Sequence, residues 1–309
     1  LHSTSRRQRQ MCIRDRLTAS GCVVKPIGLG TFSLEGHAME EMVLKAFQIG
    51  YCLIDTADDY RGETGIGLAV SRLEEIGLNR EDVFLQTKIS DNAAHDDEPL
   101  QGVYFNRYSD FMRRHSVEDL VREKVNISLR ELNTDYLDSL LMHWPYEYYL
   151  LDIWEAMIKL QEEGKIRYIG VSNFHERHIE ELRKTGVMPA INEIYISPIG
   201  TKQSDFDFSN ANDIILMTYS PLMDLVCHRL PLNEINQIAA KYHKSAAQVI
   251  LRWNIERGCY PLPRTKKIKR LQENFEVFDF QLAPEEVAVI SSLNRDYQFL
   301  PESKICPGI

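Results

Sequence analysis

Short apolar runs alternate with amphipathic stretches along most of this chain. The runs at 53–57, 83–88, 136–143, 169–173, 191–196, 214–220 and 260–263 are four to eight residues long, as expected of strands buried on both faces of a parallel sheet. Between them, apolar residues recur at helical spacing over 39–48, 63–76, 116–132, 152–163, 176–184, 232–243 and 246–257. Ser116 followed by Asp119 has the form of a capping box, and Val117, Leu120, Val121, Val125 and Leu132 fall on one face beyond it. Strands alternating with helices imply parallel βαβ units. With a weak eighth strand near 275–278, the pattern predicts a (β/α)8 TIM barrel. The stretch 22–32, with Pro26, Gly28 and Gly30, reads as an N-terminal hairpin plug leading into the first strand.

Polar residues interrupt the pattern at one place repeatedly, the carboxyl ends of the strands. Asp55 and Tyr60 follow the first run, Lys88 ends the second, His143 the third, Ser172 and Asn173 the fourth, and Tyr219 and Ser220 the sixth. Each alone has a plain structural reading: a turn cap, a snorkelling lysine, a satisfied core histidine. Together they lie on the rim where such barrels carry catalytic groups. An acid, a cation, a phenol and an imidazole suit proton transfer to a carbonyl oxygen. A lysine beside a tyrosine should favour the phenolate and lower its pKa, an aspartate keeps that lysine charged, and a histidine can bond the substrate oxygen.

The complementary half of a redox reaction is suggested near the end of the chain. Arg264, Lys266, Lys267, Lys269 and Arg270 place five cations in seven residues, after a strand and at the opening of a helix, where a phosphate can be held. No Gly-x-Gly-x-x-Gly follows a strand, so a Rossmann site is disfavoured.

Composition narrows the partners. The chain has 309 residues with a net charge of -9, which argues against a nucleic-acid partner and against anionic membrane surfaces. No apolar run reaches the ~20 residues of a membrane helix. Six scattered cysteines form no CxxC pair and suit a reducing, cytoplasmic setting. Residues 1–16 carry five arginines and read as a non-native or disordered basic extension before a single domain over 17–309.

With those residues in place, the chain resembles the aldo-keto reductase family, in its bacterial diketogluconate-reductase-like branch, from about Val23 to Asn294. Gly50-Tyr-Cys-Leu-Ile-Asp55-Thr-Ala with Glu63 and Gly67 is similar to the family's first signature, Ile169-Gly-Val-Ser-Asn-Phe174 to its second and the segment from Pro263 to Asn274 to its third. The resemblance implies a barrel that reduces aldehydes or ketones with NADPH. Tyr60 would be the general acid, tuned by Lys88 and Asp55, and His143 would orient the carbonyl. Ser172, Asn173 and Glu193 would contact the nicotinamide carboxamide, Tyr219 would stack on the ring, and Ser220 and Leu222 would adjoin it. Arg264, Thr265 and Arg270 would hold the 2'-phosphate, and Glu273 and Asn274 would meet the adenine. A small carbonyl partner, no metal, and a monomer or weak homo-oligomer are expected.

The chain departs from the family pattern in several places. Cys52 stands for an arginine, Gly62 for an asparagine, Glu193 for a glutamine and Arg264 for a lysine. As a carboxylate, Glu193 could accept a hydrogen bond but not donate one. Lys88 and His143 are also unusually far apart in sequence, which puts an enlarged loop at 91–115 after the second strand. Its aromatics Tyr104, Phe105, Tyr108 and Phe111 read either as a wall over the substrate pocket or as a solvated excursion. The main alternative to an enzyme is an NADPH-binding regulatory or structural barrel with little turnover.

Overall fold

The computed structural model describes residues 18–19, 22–90, 114–146 and 149–300. The basic extension at 1–16 and nearly all of the loop at 91–115 lie outside the described residues.

Two short strands, β1 (Thr18–Ala19) and β2 (Cys22–Val23), pair antiparallel as a small hairpin. Eight strands follow in one parallel sheet whose spatial order is the chain order: β3 (Gly28–Gly30), β4 (Leu53–Asp55), β5 (Phe84–Ile89), β6 (Leu137–Met142), β7 (Ile166–Ser172), β8 (Ile191–Tyr195), β9 (Ile215–Tyr219) and β10 (Tyr260–Leu262). A sheet ordered this way curls until its edges meet. The Gly30 amide donates to the Pro263 carbonyl at 3.2 Å across the seam between β3 and β10. The seam needs glycine: a Cβ on Gly30 would stand 2.9 Å from the Leu262 carbonyl oxygen.

The seven predicted strands are present, and the eighth differs. Segment 275–278 is no strand: Phe275 ends helix α10 (Ile268–Phe275) and packs its ring 4.7 Å from Tyr51. The eighth strand is Gly28–Gly30, which the sequence pattern had assigned to the plug. Three residues, two of them glycine, carry no alternation to read.

The outer layer comprises α1 (Gly36–Ile49), α2 (Glu63–Val70), α3 (Val117–Glu131), α4 (Leu150–Glu162), α5 (Glu176–Arg183), α6 (Gln203–Ala211), α7 (Met223–Val226), α8 (Asn233–Tyr242), α9 (Ala246–Glu256), α10 and α11 (Pro284–Ser291). The capping box at α3 is formed, with the Asp119 amide donating to Ser116 Oγ at 3.1 Å and the Ser116 amide to Asp119 Oδ2 at 2.9 Å. Ser245 and Gln248 build the same motif at α9. Gly67 marks the closest approach of two helices, since a Cβ there would fall 1.9 Å from the Glu131 carbonyl oxygen on α3. Among the described residues no helix is long and apolar enough to cross a membrane.

Strand periodicity positions the site. Leu53, Phe84, Leu141, Ile191 and Ile215 form an apolar cluster with Met217, Tyr260 and Leu262. Two residues further along β4, β5 and β8, on the same inner face, stand Asp55, Gln86 and Glu193. One more step along β5 places Lys88 above Gln86. The interior therefore changes from apolar to ionisable toward the carboxyl ends of the strands.

Candidate active site

Lys88 is the centre of the buried layer. It is 1 % exposed, and its Nζ lies 2.6 Å from Asp55 Oδ1 and 3.2 Å from Glu193 Oε1, with a further bond to the Thr56 carbonyl at 3.1 Å. The Gln86 amide nitrogen donates to Asp55 Oδ1 and to Glu193 Oε2, each at 2.9 Å, and its oxygen accepts from Ser139 Oγ at 2.8 Å. This fixes the direction of every bond in the layer. Burial disfavours the Lys88 ammonium, but the attraction of the acidic groups around it, Asp55 foremost, outweighs this and raises the lysine above its ordinary value.

Glu193 has the opposite balance. Burial and the charge of Asp55 push its carboxyl up to about 8, with Lys88 pulling against them. At neutral pH it therefore keeps a proton. This revises the sequence argument: in the protonated form Glu193 both donates and accepts, as the glutamine it replaces would.

Tyr60 sits above this layer. Lys88 Nζ is 5.3 Å from the centre of its ring, which also meets Phe32 edge-on at 5.1 Å and the His143 ring at 5.8 Å. Burial raises the Tyr60 phenol above its ordinary value; Lys88 lowers it, but by less. The expected net lowering is thus overturned, because sequence reasoning weighed the neighbouring charge without the desolvation. The phenol rests protonated. His143 is held well below its usual value by burial and by the Lys88 charge, so its imidazole is neutral. Its Nδ1 lies 2.7 Å from Ser90 Oγ.

Toward β7 and β9, the Asn173 amide donates to the His143 carbonyl at 3.2 Å and to Ser172 Oγ at 3.1 Å, and its oxygen accepts from Tyr219 Oη at 2.8 Å. Asn173 and Ser220 both hold left-handed backbone, with φ of 62° and 50°. Such strained conformations persist where the surroundings demand them, often at ligand sites.

Asp55, Tyr60, His143, Ser172, Asn173, Glu193, Tyr219, Ser220 and Arg264 all border one cavity of about 330 Å³. Lys88 lies directly beneath, in contact with Asp55 and Glu193. Leu222 precedes α7 at the edge of the core. Thr265, Arg270, Glu273 and Asn274 are outside the cavity lining, on α10 and the loop before it. There Thr265 and Asn274 are buried, the five cations are exposed, and the first turn of α10 carries no acidic residue.

This donor set fits a dinucleotide phosphate at one end and a carboxamide at the other. An exposed cation cluster at a helix N-terminus suits a phosphate, and the amide and hydroxyl groups of Asn173 and Ser172 suit the carboxamide. Sequence reasoning missed Phe32, Asp59, Trp144, Met223, Phe299 and Leu300, which line the cavity together with Gly30, Thr31 and Leu262. It also missed Gln86, although its position two residues before Lys88 on one strand was a usable signal.

Residues 26–295 match the model of the aldo/keto reductase family. A glyoxal reductase of Bacillus subtilis is 37% identical over 277 residues, covering 89% of this chain and 90% of that protein. The methylglyoxal reductase DkgA of Escherichia coli is 32% identical over 286 residues, covering 91% and 94%. Among solved structures, a Bombyx mori aldo-keto reductase in complex with NADP superposes with a TM-score of 0.78 at 27% identity, over 93% of this chain and 95% of that one.

Proposed function

The chain belongs to the aldo/keto reductase family and is an oxidoreductase that reduces carbonyl groups with NADPH; from that premise we propose that Tyr60, Lys88, Asp55 and His143 carry the chemistry and that neutral 2-oxoaldehydes are its substrates. The observation that carries the residue assignment is the lysine caught between two buried acids, Asp55 and Glu193, directly below a phenol that borders the cavity. The names of the two reductase relatives and the modest cavity of about 330 Å³ support the substrate class.

When bound, NADPH supplies a hydride to the carbonyl carbon. Ser172, Asn173 and protonated Glu193 would hold the carboxamide, with the Tyr219 ring against the nicotinamide and Ser220 and Leu222 beside it. Arg264, Thr265 and Arg270 would bind the 2'-phosphate, and Glu273 and Asn274 the adenine. Tyr60 Oη gives its proton to the carbonyl oxygen as that oxygen gains charge, leaving a phenolate. Lys88, kept charged by Asp55, stabilises the phenolate across the short gap beneath the ring. The high resting pKa of Tyr60 keeps the proton in place until an alkoxide, a stronger base than any phenolate, develops beside it. Neutral His143 turns Nδ1 to Ser90, which leaves Nε2 to donate a hydrogen bond to the same oxygen.

No observation favours the non-catalytic barrel, since a binding module needs neither the buried lysine nor the phenol above it. We further propose a cytoplasmic enzyme that acts as a monomer or weak homo-oligomer. Cys227 and Cys259, which form no disulfide, agree with a reducing compartment.

The deciding experiment combines fluorescence titration with NADPH and a spectrophotometric assay of its oxidation by glyoxal, methylglyoxal, simple ketones and keto sugars. Turnover should be fastest with methylglyoxal or glyoxal. Tight NADPH binding without turnover on any carbonyl would refute the enzyme.

A further inference from the structure

Next to Tyr60 in the chain stands a carboxylate that the proposed chemistry does not use. Asp58 and Asp59 are adjacent acids with different surroundings. Asp58 is 2 % exposed and fully engaged: Lys124 Nζ of α3 donates to its Oδ2 at 2.9 Å, and the Ser90 amide to its Oδ1 at 3.0 Å. Asp59 borders the substrate cavity together with Tyr60 and His143. Its Oδ1 is shut off from solvent and accepts no hydrogen bond among the described residues; His143 Nδ1 stands 3.7 Å from it. That nitrogen is already within 2.7 Å of Ser90 Oγ, and the imidazole is neutral.

Asp55, Asp59 and Glu193 all line the cavity, but Asp55 is paired with Lys88 and Glu193 holds a proton, so the carboxylate left without a cation beside the carbonyl is Asp59. Arg264, the cation among the described lining residues, bonds the Phe32 carbonyl and Ser33 Oγ on the loop after β3. Lys88 lies below, with Asp55 and Glu193 already on its ammonium.

We propose that Asp59 is a specificity-determining residue, a charge filter that admits neutral 2-oxoaldehydes and turns away 2-oxo carboxylates. The proposal rests on the reductase assignment above. A carbonyl placed for protonation by Tyr60 and His143 brings its α-substituent to within a few ångströms of Asp59, the next residue along the chain. A neutral acetyl or formyl group there meets no penalty. A carboxylate meets a like charge that has no cation paired to it, in a partly desolvated space, which costs roughly tenfold in kcat/KM or more.

The filter should also weaken in acid. Burial and the neighbouring Asp58 charge push the Asp59 carboxyl up to about 6, a rise moderated by Ser90 and by Lys88. The groups facing it are Asp58 and Tyr60 on its own loop, Lys88 and Ser90 from β5 and the turn after it, and His143 after β6. Of these, Tyr60 and Lys88 are raised and His143 is lowered away from that pH. Glu193, pushed up to about 8, lies in the layer below.

The test compares methylglyoxal with glyoxylate, two aldehydes that differ in having acetyl or carboxylate beside the carbonyl, at saturating NADPH between about pH 5 and pH 8, where glyoxylate stays ionised. In the wild type the kcat/KM ratio of methylglyoxal to glyoxylate should rise about tenfold through pH 6. In Asp59→Asn the ratio should be flat and close to the wild-type value at the acid end. A flat ratio in the wild type, or a rise that persists in Asp59→Asn and so belongs to Glu193, would overturn the proposal while leaving the reductase assignment intact. If Asp59→Asn does not fold, the midpoint of the wild-type rise decides: near pH 6 it belongs to Asp59, and near pH 8 to Glu193, which would overturn the proposal. Absence of NADPH oxidation with either aldehyde would instead remove the assignment on which the filter rests.

Discussion

Glu193→Gln offers the sharpest test of the buried layer, because its effect is a slope against pH. In the folded protein the Glu193 carboxyl is pushed from an ordinary 4.5 up to about 8, with burial first and Asp55 second among the causes. In the unfolded chain it titrates normally. Between those two values the folded state holds a proton that the unfolded state does not, so wild-type stability must fall as pH rises. At about 1.4 kcal/mol per unit, the loss accumulated from pH 5 to pH 8 is of the order of 4 kcal/mol. Glutamine is neutral throughout and keeps a donor and an acceptor in the same place, so the variant lacks this slope. The two proteins should have similar stability near pH 5 and diverge steadily above it, with the variant the more stable. Urea unfolding of the cofactor-free proteins at four pH values measures this, since urea does not screen charge as guanidinium chloride does. A stability difference that stays constant across the range would show that Glu193 is ionised in the folded state, and the account of Lys88 with one neutral and one charged acid would be wrong.

Three further outcomes are expected. Tyr60→Phe should lower single-turnover reduction of methylglyoxal by about 10²–10⁴ while NADPH titrations change little, and near-normal turnover would remove the assigned acid. Arg270→Ala should weaken NADPH by about tenfold and NADH hardly at all, as read from paired fluorescence titrations; equal losses would move the 2'-phosphate elsewhere. Gly67→Ala places a methyl 1.9 Å from the Glu131 carbonyl oxygen, so helices α2 and α3 must part, at a cost of about 1–3 kcal/mol in thermal unfolding. An unchanged melting temperature would contradict that close contact.

The sequence revealed those parts of the fold that have a period. Runs such as those in β5 and β6 show their burial in every residue, and Ser116 with Asp119 marks where α3 begins. β3 was hidden because Gly-Leu-Gly has no side-chain alternation, whereas Phe275, Val277 and Phe278 imitate a strand while packing at the end of a helix. Within the site, the residue types at the strand ends were visible and their energetics were not. The upward shifts of Tyr60 and Glu193 come first from burial, which exists only once the barrel has closed around them. Asp59 was hidden by Asp58: two acids side by side in a polar loop look alike until one of them meets Lys124.

The seam between β3 and β10 joins residues near opposite ends of the described chain. Gly30 and Phe32 on one side and Leu262 and Arg264 on the other belong to the same cavity wall, so no partial chain that lacks β10 can have a complete pocket. During synthesis the site must be the last feature to form. The same geography governs unfolding. A dinucleotide gripped by Arg264 and Arg270 would lie across the one joint in the sheet where the first and last strands meet, and would act as a latch on it. Loss of cofactor should therefore open the protein first at this joint, and protease cleavage near it should be faster in the cofactor-free protein than in the loaded one.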